Sequence, residues 1–395
     1  MSAATLRACT SIIISGRITP DGRPLLLKNR DCPDQHNLVV LQQGERYRYL
    51  AIVAASDTQP REAWGGHNEA GFALFNTSAY NLNGPDSQDE ECDGQLMRRA
   101  LEVCGSLKDF EHFLDTLPHP LPINSNFGAL DAEGNAAYYE TGHAGYTKYD
   151  VNDPLVAPQG YLIRTNHAFS GDRSLDRGIE RYLAASQLMQ QAEAEGRIGW
   201  QWLLTDVPRH LTHGLTHQNL LADLPADWDD TRYVAFRDFI PRYFSASTLV
   251  VQGVKPGESP LLTVSWTIAG SPLAAVALPL VITPGGKLPQ VVTRGADGEG
   301  ELCLLALRLK QHLFPLKKSS RADYIDLSKL VNRAGTGILQ RIRPIERELL
   351  RRGEAELERS RAAGRHDERA LGAYYQWADG YIRQQYALLT DSIQR

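Results

Sequence analysis

The sequence lacks a long apolar run and any cysteine pattern of the kind that holds a disulfide framework or a zinc ion. The 395 residues contain five cysteines, with no CxxC pair. They are Cys9, Cys32, Cys92, Cys104 and Cys303. An odd, widely spaced set of thiols argues against both kinds of site, so we expect no bound metal and a reducing compartment, the cytoplasm. The longest apolar stretch, around 272–282, is shorter than the about 20 residues that cross a bilayer.

A strong excess of charge is also missing. The 42 Lys and Arg residues stand against 47 Asp and Glu residues, for a net charge of −5. This balance gives no reason to expect nucleic acid or an anionic membrane as a partner. Residues 1–8 lack the apolar segment of about 7–15 residues that a signal peptide needs. Trp64-Gly65-Gly66 lacks the lysine and spacing of a phosphate loop, so no nucleotide cofactor is expected.

Short strand-like runs alternate with helical patterns along the chain. A Pro-Asp-Gly turn between apolar runs at 10–15 and 24–28 predicts a β-hairpin. Further strands are predicted at 37–42, 47–54, 72–76, 127–131, 136–140, 161–166, 248–253, 261–267 and 274–282. Helices are predicted at 95–104, 107–117, 175–194, 301–314, 326–334, 337–352 and 369–390. This mixture predicts a layered α+β fold with a mostly helical C-terminal region.

Cys9 directly precedes the first predicted strand. Cleavage of the bond between Ala8 and Cys9 would give Cys9 a free α-amine, which can act as general base for its own thiol. A reference α-amino pKa of about 7.7–8.0 suits that role. Asp31, at the end of the second hairpin strand, could hold the amine by hydrogen bonding. From these residues alone, a small buried hydrophobic Cys9 is the simpler interpretation.

Four segments, in order, resemble one superfamily. The stretch ACTSIIISGRITPDGRPLLLKNRD (8–31) resembles the opening of the choloylglycine hydrolases and penicillin acyltransferases, which are N-terminal-nucleophile cysteine hydrolases. The segments at 65–77, 126–142 and 160–171 resemble later motifs of the same superfamily, nearer its acyltransferase branch. The resemblance covers about residues 8–195 and implies a four-layer αββα sandwich. The resemblance implies a propeptide (1–8) ahead of the catalytic domain, and the change to a mostly helical pattern near residue 299 divides the rest into a catalytic domain (9–298) and a helical C-terminal region (299–395).

The resemblance also implies residue roles. Cys9 would be the nucleophile and its amine the base, with Asp31 orienting that amine. Asn76 would donate a hydrogen bond to the oxyanion of the tetrahedral intermediate. Asn166 would line the same pocket and bind the scissile group.

Two further positions are less directly indicated. The arginine that the family carries late in its catalytic domain could be Arg173, Arg177 or Arg181, and we favour Arg177. Lys28 stands where relatives often have arginine, and an ammonium cannot reproduce the planar, bidentate contact of a guanidinium. An apolar pocket for the acyl group is expected from three residues near the motifs, Trp64, Tyr80 and Phe127.

The implied reaction is attack of the Cys9 thiolate on the amide carbonyl of a small-molecule acyl donor. Water would then resolve the thioester in a hydrolase, and an amine would do so in an acyltransferase. A dipeptidase with a similar Ala-Cys-Thr opening and a non-catalytic binding protein of the same fold are the alternatives. A homo-oligomer is compatible with the sequence.

A histidine cluster offers a rival site. The residues His210, His213 and His217 have the spacing of zinc ligands on a helix. Pro208 precedes this segment and Gly214 interrupts it, so we expect an exposed polar segment there.

Overall fold

Two antiparallel sheets form the centre of the computed structural model, which describes residues 8–83, 92–316 and 323–394. One sheet has six strands in the order β10-β1-β2-β12-β13-β14, and the other has seven in the order β3 to β9. A small two-stranded sheet pairs β11 with β15. The strands are β1 (Ala8–Ile14), β2 (Leu25–Asp31), β3 (Asn37–Gln43), β4 (Arg48–Ala54), β5 (Gly66–Asn68), β6 (Ala73–Ser78), β7 (Ser125–Leu130), β8 (Ala136–Gly142), β9 (Gly145–Asp150), β10 (Tyr161–Arg164), β11 (Tyr233–Ala235), β12 (Ser245–Gln252), β13 (Val264–Ile268), β14 (Leu278–Leu280) and β15 (Tyr324–Asp326).

Helices cover the outer faces of both sheets. They are α1 (Asp93–Val103), α2 (Leu107–Asp115), α3 (Ile179–Ala194), α4 (Trp200–Thr205), α5 (Glu301–Leu313), α6 (Leu327–Leu330), α7 (Ile338–Ala363) and α8 (Glu368–Gln394). Helix α1 contacts the seven-stranded sheet, and α2 packs on the same sheet through Phe110, which meets Phe127 and Tyr139. Helices α3, α4 and α7 contact the six-stranded sheet. The layers therefore follow the order helix, sheet, sheet, helix, as the sequence predicts.

The β1–β2 hairpin is buried on both faces because apolar residues occupy both sets of alternating positions. Ile12 lies opposite Leu27 and Ile13 lies opposite Leu26 in antiparallel register, and all four side chains are buried. β2 also pairs with β12, so the hairpin is central in its sheet. Its strands are therefore rigid supports for the polar residues at their Cys9 and Asp31 ends.

The C-terminal helices pack on the sandwich through buried polar as well as apolar contacts. Arg209 Nη2 donates to Glu346 Oε1 at 2.8 Å, and the same oxygen accepts the backbone N–H of Ala277 at 2.9 Å. The Tyr386 hydroxyl donates to the Ala274 carbonyl at 2.8 Å. The prediction of a helical C-terminal region is confirmed, and Tyr374, like Tyr386, is buried there.

Several element boundaries differ from the prediction. Helix α3 begins at Ile179 rather than at 175, because Gly178 has a left-handed φ of 80° directly before it. Helix α7 continues to Ala363 and ends where Gly364 adopts a φ of 69°. The segment predicted as a helix at 326–334 holds only the short α6, next to β15. Strand β5 and helix α4, of three and six residues, carry too short a pattern to have been predicted. Strand β9 was not predicted either. Within the described ranges, no helix combines the length and apolar character needed to cross a membrane.

Candidate active site

The Cys9 side chain lies between the two sheets, beside two cationic residues. In the hairpin, Cys9 is opposite Arg30 and Ser11 is opposite Lys28. The Ser11 hydroxyl is 2.8 Å from the Tyr138 hydroxyl on β8, so this face of β1 points to the seven-stranded sheet. Because side chains alternate along a strand, Cys9, Lys28 and Arg30 point the same way. Cys9 is only 5% exposed.

The backbone of Cys9 is held by an asparagine and an arginine. The N–H of Cys9 donates to Asn166 Oδ1 at 3.0 Å. Arg181 donates from Nη1 to the Cys9 carbonyl and from Nη2 to Asn166 Oδ1, the latter at 2.6 Å. The Asn166 amide nitrogen donates to the Ser78 carbonyl at 2.8 Å. Asn166 therefore connects β6, the start of α3 and the nucleophile candidate.

Asp31 lies opposite Ala8, next to the bond that maturation would cleave. Its Oδ1 accepts hydrogen bonds from the Ser245 hydroxyl at 2.6 Å and from Asn29 Nδ2 at 3.2 Å. Among the residues that the structure describes, Asp31 Oδ2 has no hydrogen-bond partner, and Arg242 Nε is 3.8 Å away. Burial raises the pKa of Asp31, against the opposing effect of Arg242. One carboxylate oxygen is thus buried and able to accept a further hydrogen bond.

Lys28 connects the hairpin to a polar network at the start of α1. Its Nζ donates to the Trp64 carbonyl and to Asn76 Oδ1, both at 2.7 Å. The Asn76 amide nitrogen donates to Asp93 Oδ2 at 2.8 Å and to the Ser125 hydroxyl at 3.2 Å. Burial lowers the pKa of Lys28 to about 8, and Cys9 is the charged group that opposes this most strongly.

The structure places Arg181 against Cys9, and not Arg177, the arginine that the sequence favoured. Arg177 is exposed, with its guanidinium 4.9 Å from the centre of the Tyr80 ring, and Arg173 is also exposed. Because α3 begins only after Gly178, Arg181 lies in its first turn, where the helix packs on β1. Arg181 is 2% exposed and is the one of the three that contacts Cys9.

The three residues expected to line an acyl pocket fall into two groups. Phe127 is fully buried and packs edge-on against Phe110 of α2, with the ring centres 6.0 Å apart. Trp64 is buried with its ring 4.8 Å from the Arg30 guanidinium. Tyr80 is half-buried, and its N–H donates to the Asn166 carbonyl at 3.3 Å. Trp64 and Tyr80 therefore lie beside residues of the site.

Sequence reasoning missed several residues that complete the site. Arg242 and Ser245 contact Asp31 from more than 200 positions away, and Asp93 and Ser125 hold Asn76. None of these four residues lies in a segment that resembles a family motif, so the sequence carries no signal for them. Arg242 also lines a cavity of about 250 Å³, together with Phe236 and Phe244.

The histidine segment does not form the helix that a zinc site would need. The His213 Nδ1 atom accepts hydrogen bonds from the N–H groups of Leu215 and Thr216, within a turn. His217 follows in a left-handed conformation with φ 57°. In the ranges that the structure covers, no group of three or more His, Cys, Asp or Glu side chains is arranged to hold a metal ion.

Comparison with known families decides the relationship. Residues 18–219 match the model of the family described as acyl-coenzyme A:6-aminopenicillanic acid acyl-transferase, AAT. The chain belongs to the AAT family. It is accordingly an enzyme of the hydrolase or acyltransferase kind that acts on amide bonds, and the resemblance found in the sequence is confirmed. The matched segment includes Lys28, Asp31, Asn76, Asn166 and Arg181. It begins after β1, so Cys9 lies outside it.

Solved structures with similarity to this AAT-family chain share little sequence with it. Penicillin V acylase from Agrobacterium tumefaciens is 13% identical with a TM-score of 0.40, covering 70% of this chain and 87% of its own. A mutant of the conjugated bile acid hydrolase from Clostridium perfringens is 11% identical with a TM-score of 0.40, covering 71% and 93%. The Caenorhabditis elegans N-acylethanolamine-hydrolyzing acid amidase ortholog is 16% identical with a TM-score of 0.36, covering 52% and 89%. A comparison with curated proteins gives no match.

Proposed function

We propose that this AAT-family protein is an N-terminal cysteine amidase or acyltransferase that cleaves an N-acyl amide through a thioester on Cys9. The observation that carries the proposal is the cluster around Cys9, in which Asn166 and Arg181 hold the backbone and the buried Asp31 carboxylate lies opposite Ala8. A free α-amine beside the thiol supplies the general base. The acyl donor is a small molecule, and no cofactor takes part in the proposed steps.

Maturation is the first proposed reaction. The Cys9 thiol attacks the Ala8 carbonyl, the peptide bond shifts to a thioester, and water releases residues 1–8. The remaining two regions are then the catalytic domain (9–298) and the helical region (299–395). The new Cys9 ammonium needs an anionic acceptor, and Asp31 Oδ2 supplies one because it is buried next to Ala8 without a hydrogen bond of its own among the described residues. Cleavage therefore gives Asp31 a partner and Cys9 an oriented base.

The catalytic cycle of the mature enzyme follows from the same atoms. The α-amine takes the thiol proton, and the sulfur attacks the carbonyl carbon of the substrate to form a tetrahedral oxyanion. The C–N bond breaks as the amine leaving group takes that proton from the α-ammonium, leaving an acyl thioester. Water, deprotonated by the α-amine, or an acceptor amine then attacks the thioester and restores the thiol. Asn166 and Arg181 keep the Cys9 backbone fixed throughout.

The test combines intact mass with activity. We expect wild-type protein to lack residues 1–8 and the Cys9→Ala variant to retain them and to be inactive. Activity is measured as 4-nitroaniline release from acetyl, octanoyl and phenylacetyl 4-nitroanilides. Dipeptides serve as the competing substrate class, and an added amine such as hydroxylamine distinguishes acyl transfer from hydrolysis. Full activity in Cys9→Ala would contradict the proposal, and selective turnover of dipeptides would favour a dipeptidase.

A further inference from the structure

Lys28 is a buried ammonium on the same face of the hairpin as Cys9. Lys28 is two positions along β2 from Arg30, which lies opposite Cys9. This diagonal separation from Cys9 is about 7–8 Å between backbones, which a long side chain can span. Two of the three Lys28 N–H groups are used by the Trp64 carbonyl and Asn76 Oδ1. No acceptor for the third lies in residues 8–83, 92–316 or 323–394. One charged donor beside the nucleophile therefore remains available.

Asn76, in contrast, has no amide hydrogen left for an oxyanion. Both hydrogens of Nδ2 are used, one by Asp93 Oδ2 and one by the Ser125 hydroxyl. Ser125 also donates to the same Asp93 oxygen at 2.7 Å. The reverse orientation of the Asn76 amide would set its carbonyl against a carboxylate and its NH₂ against an ammonium, so the neighbours fix the orientation that the structure has.

We propose that Lys28, and not Asn76, donates the hydrogen bond that stabilises the oxyanion formed when Cys9 attacks its substrate. This inference rests on the proposed function. Asn76 is then a positioning residue, which accepts from Lys28 and is itself held by Asp93 and Ser125. A charged donor fixed in a dry site stabilises a developing negative charge more strongly than a neutral amide does. Lysine in place of the family's usual arginine therefore has a chemical consequence for this chain.

The proposal has a pH signature. The charged or titratable groups that face the Lys28 ammonium are Cys9 from β1, Arg30 and Cys32 around β2, and Asp93 from α1. Burial lowers the pKa of Lys28 to about 8. Only the protonated amine can stabilise an oxyanion well, so this contribution is complete below about pH 8 and is lost as the pH rises through that value.

The experiment distinguishes an effect of Lys28 on attack at a carbonyl from an effect of Lys28 on ionisation of the Cys9 thiol. Acylation of Cys9 by 4-nitrophenyl acetate passes through an oxyanion, whereas alkylation by iodoacetamide does not, and both need the thiolate. Wild type, Lys28→Met and the surface control Lys255→Met are each produced with a start Met directly before Cys9. The host aminopeptidase removes that Met, so the mature N-terminus forms without self-processing, and intact mass verifies it.

We expect Lys28→Met to acylate about 10²-fold more slowly while alkylation stays within about threefold, and Lys255→Met to match wild type in both. In wild type, the ratio of acylation to alkylation should fall above about pH 8, a measurement that does not depend on the variant folding. The inference would be overturned if the wild-type ratio of acylation to alkylation did not change with pH, or if Lys28→Met acylated as fast as wild type. It would also be overturned if Lys28→Met lost acylation and alkylation to the same extent. Absence of acylation at Cys9 in wild type would instead contradict the proposed function itself.

Discussion

Arg181 holds Asn166 by a hydrogen bond of 2.6 Å from Nη2 to Oδ1. The same oxygen accepts the Cys9 N–H at 3.0 Å, so one buried amide couples the arginine to the nucleophile candidate. Arg181 also donates to the Cys9 carbonyl. The position of Cys9 thus depends on two residues that lie more than 150 positions further along the chain, Asn166 and Arg181.

Replacing Arg181 with Met should therefore impair both maturation and turnover. The change removes the arginine donor of the Cys9 carbonyl and one of the two donors to Asn166 Oδ1. An unmet buried acceptor, here the carbonyl, costs about 1–3 kcal/mol. We expect about 10–100-fold lower kcat/KM on the best 4-nitroanilide, at the conversion of about 1.4 kcal/mol for each tenfold change. Intact mass reports the unprocessed fraction.

Arg177→Met is the matched control, because the side chain of this neighbour is exposed and its guanidinium lies over the Tyr80 ring, away from Cys9. It should process and turn over substrate as wild type does. Equal losses in the two variants would show that Arg181 has no special role at Cys9.

Replacing Asp31 with Asn should slow the mature enzyme by at least about tenfold. The variant retains an oxygen for the Ser245 hydroxyl but loses the charge that would hold the Cys9 ammonium. With Asp31 neutralised, the α-amine loses stabilisation of its charged form, so its pKa should fall and the acidic limb of the kcat/KM profile should move to lower pH. Asp229→Asn, at an exposed position, should leave both rate and profile unchanged. An unchanged acidic limb in Asp31→Asn would contradict this role.

The thiols should differ sharply in reactivity. Burial raises the pKa of Cys104 to about 12 and that of Cys303 to about 11, so near neutral pH their thiolate fractions are very small. Cys92 is half-buried and is replaced by Ser for this experiment. Iodoacetamide followed by peptide mapping should then modify Cys9 in the mature protein and leave Cys104 and Cys303 unmodified until the protein is unfolded. Rapid labelling of Cys104 in folded protein would contradict the burial argument.

The sequence predicted those parts of the molecule that depend on local pattern. The β1–β2 hairpin follows from two apolar runs around a Pro-Asp-Gly turn. The four motif-like segments indicated the superfamily that includes the AAT family. The sequence could not show that Arg181 and not Arg177 would contact Cys9, because this depends on where α3 begins, and the left-handed Gly178 that sets this boundary is a backbone property. Phe127 lies opposite Asn76 in the sheet, but it packs against Phe110 of α2, and proximity to a motif does not reveal such packing.

Residues brought together only by tertiary structure could not be predicted. Arg242 and Ser245 reach Asp31 because β12 pairs with β2, and a pairing over that sequence distance has no local signature. The network of Lys28, Asn76 and Asp93 likewise crosses from one sheet to a helix on the other. Only the three-dimensional structure shows that both amide hydrogens of Asn76 are already used in hydrogen bonds.

The buried ion pair between Arg209 and Glu346 should be essential for attaching the C-terminal helices. Both side chains are almost fully buried, with relative exposures of 0% and 3%, and Glu346 also accepts the Ala277 N–H. Replacing Glu346 with Ala leaves a buried guanidinium without its anion, a change that costs about 3–5 kcal/mol. Urea unfolding should show this as a lower midpoint, with the double variant Arg209→Met/Glu346→Leu recovering much of the loss, since an apolar pair avoids the unpaired charge.

Glu348, on the same helix, provides the control. It pairs with Arg351 and Arg352 at the surface, where solvent screens the interaction and exposed pairs contribute little. Glu348→Ala should therefore leave the urea midpoint unchanged. If Glu346→Ala also unfolds at the wild-type midpoint, then α7 is held to the sandwich by its apolar face alone. If the double variant is as unstable as the single one, the loss comes from the Ala277 N–H or from a cavity and not from the unpaired arginine.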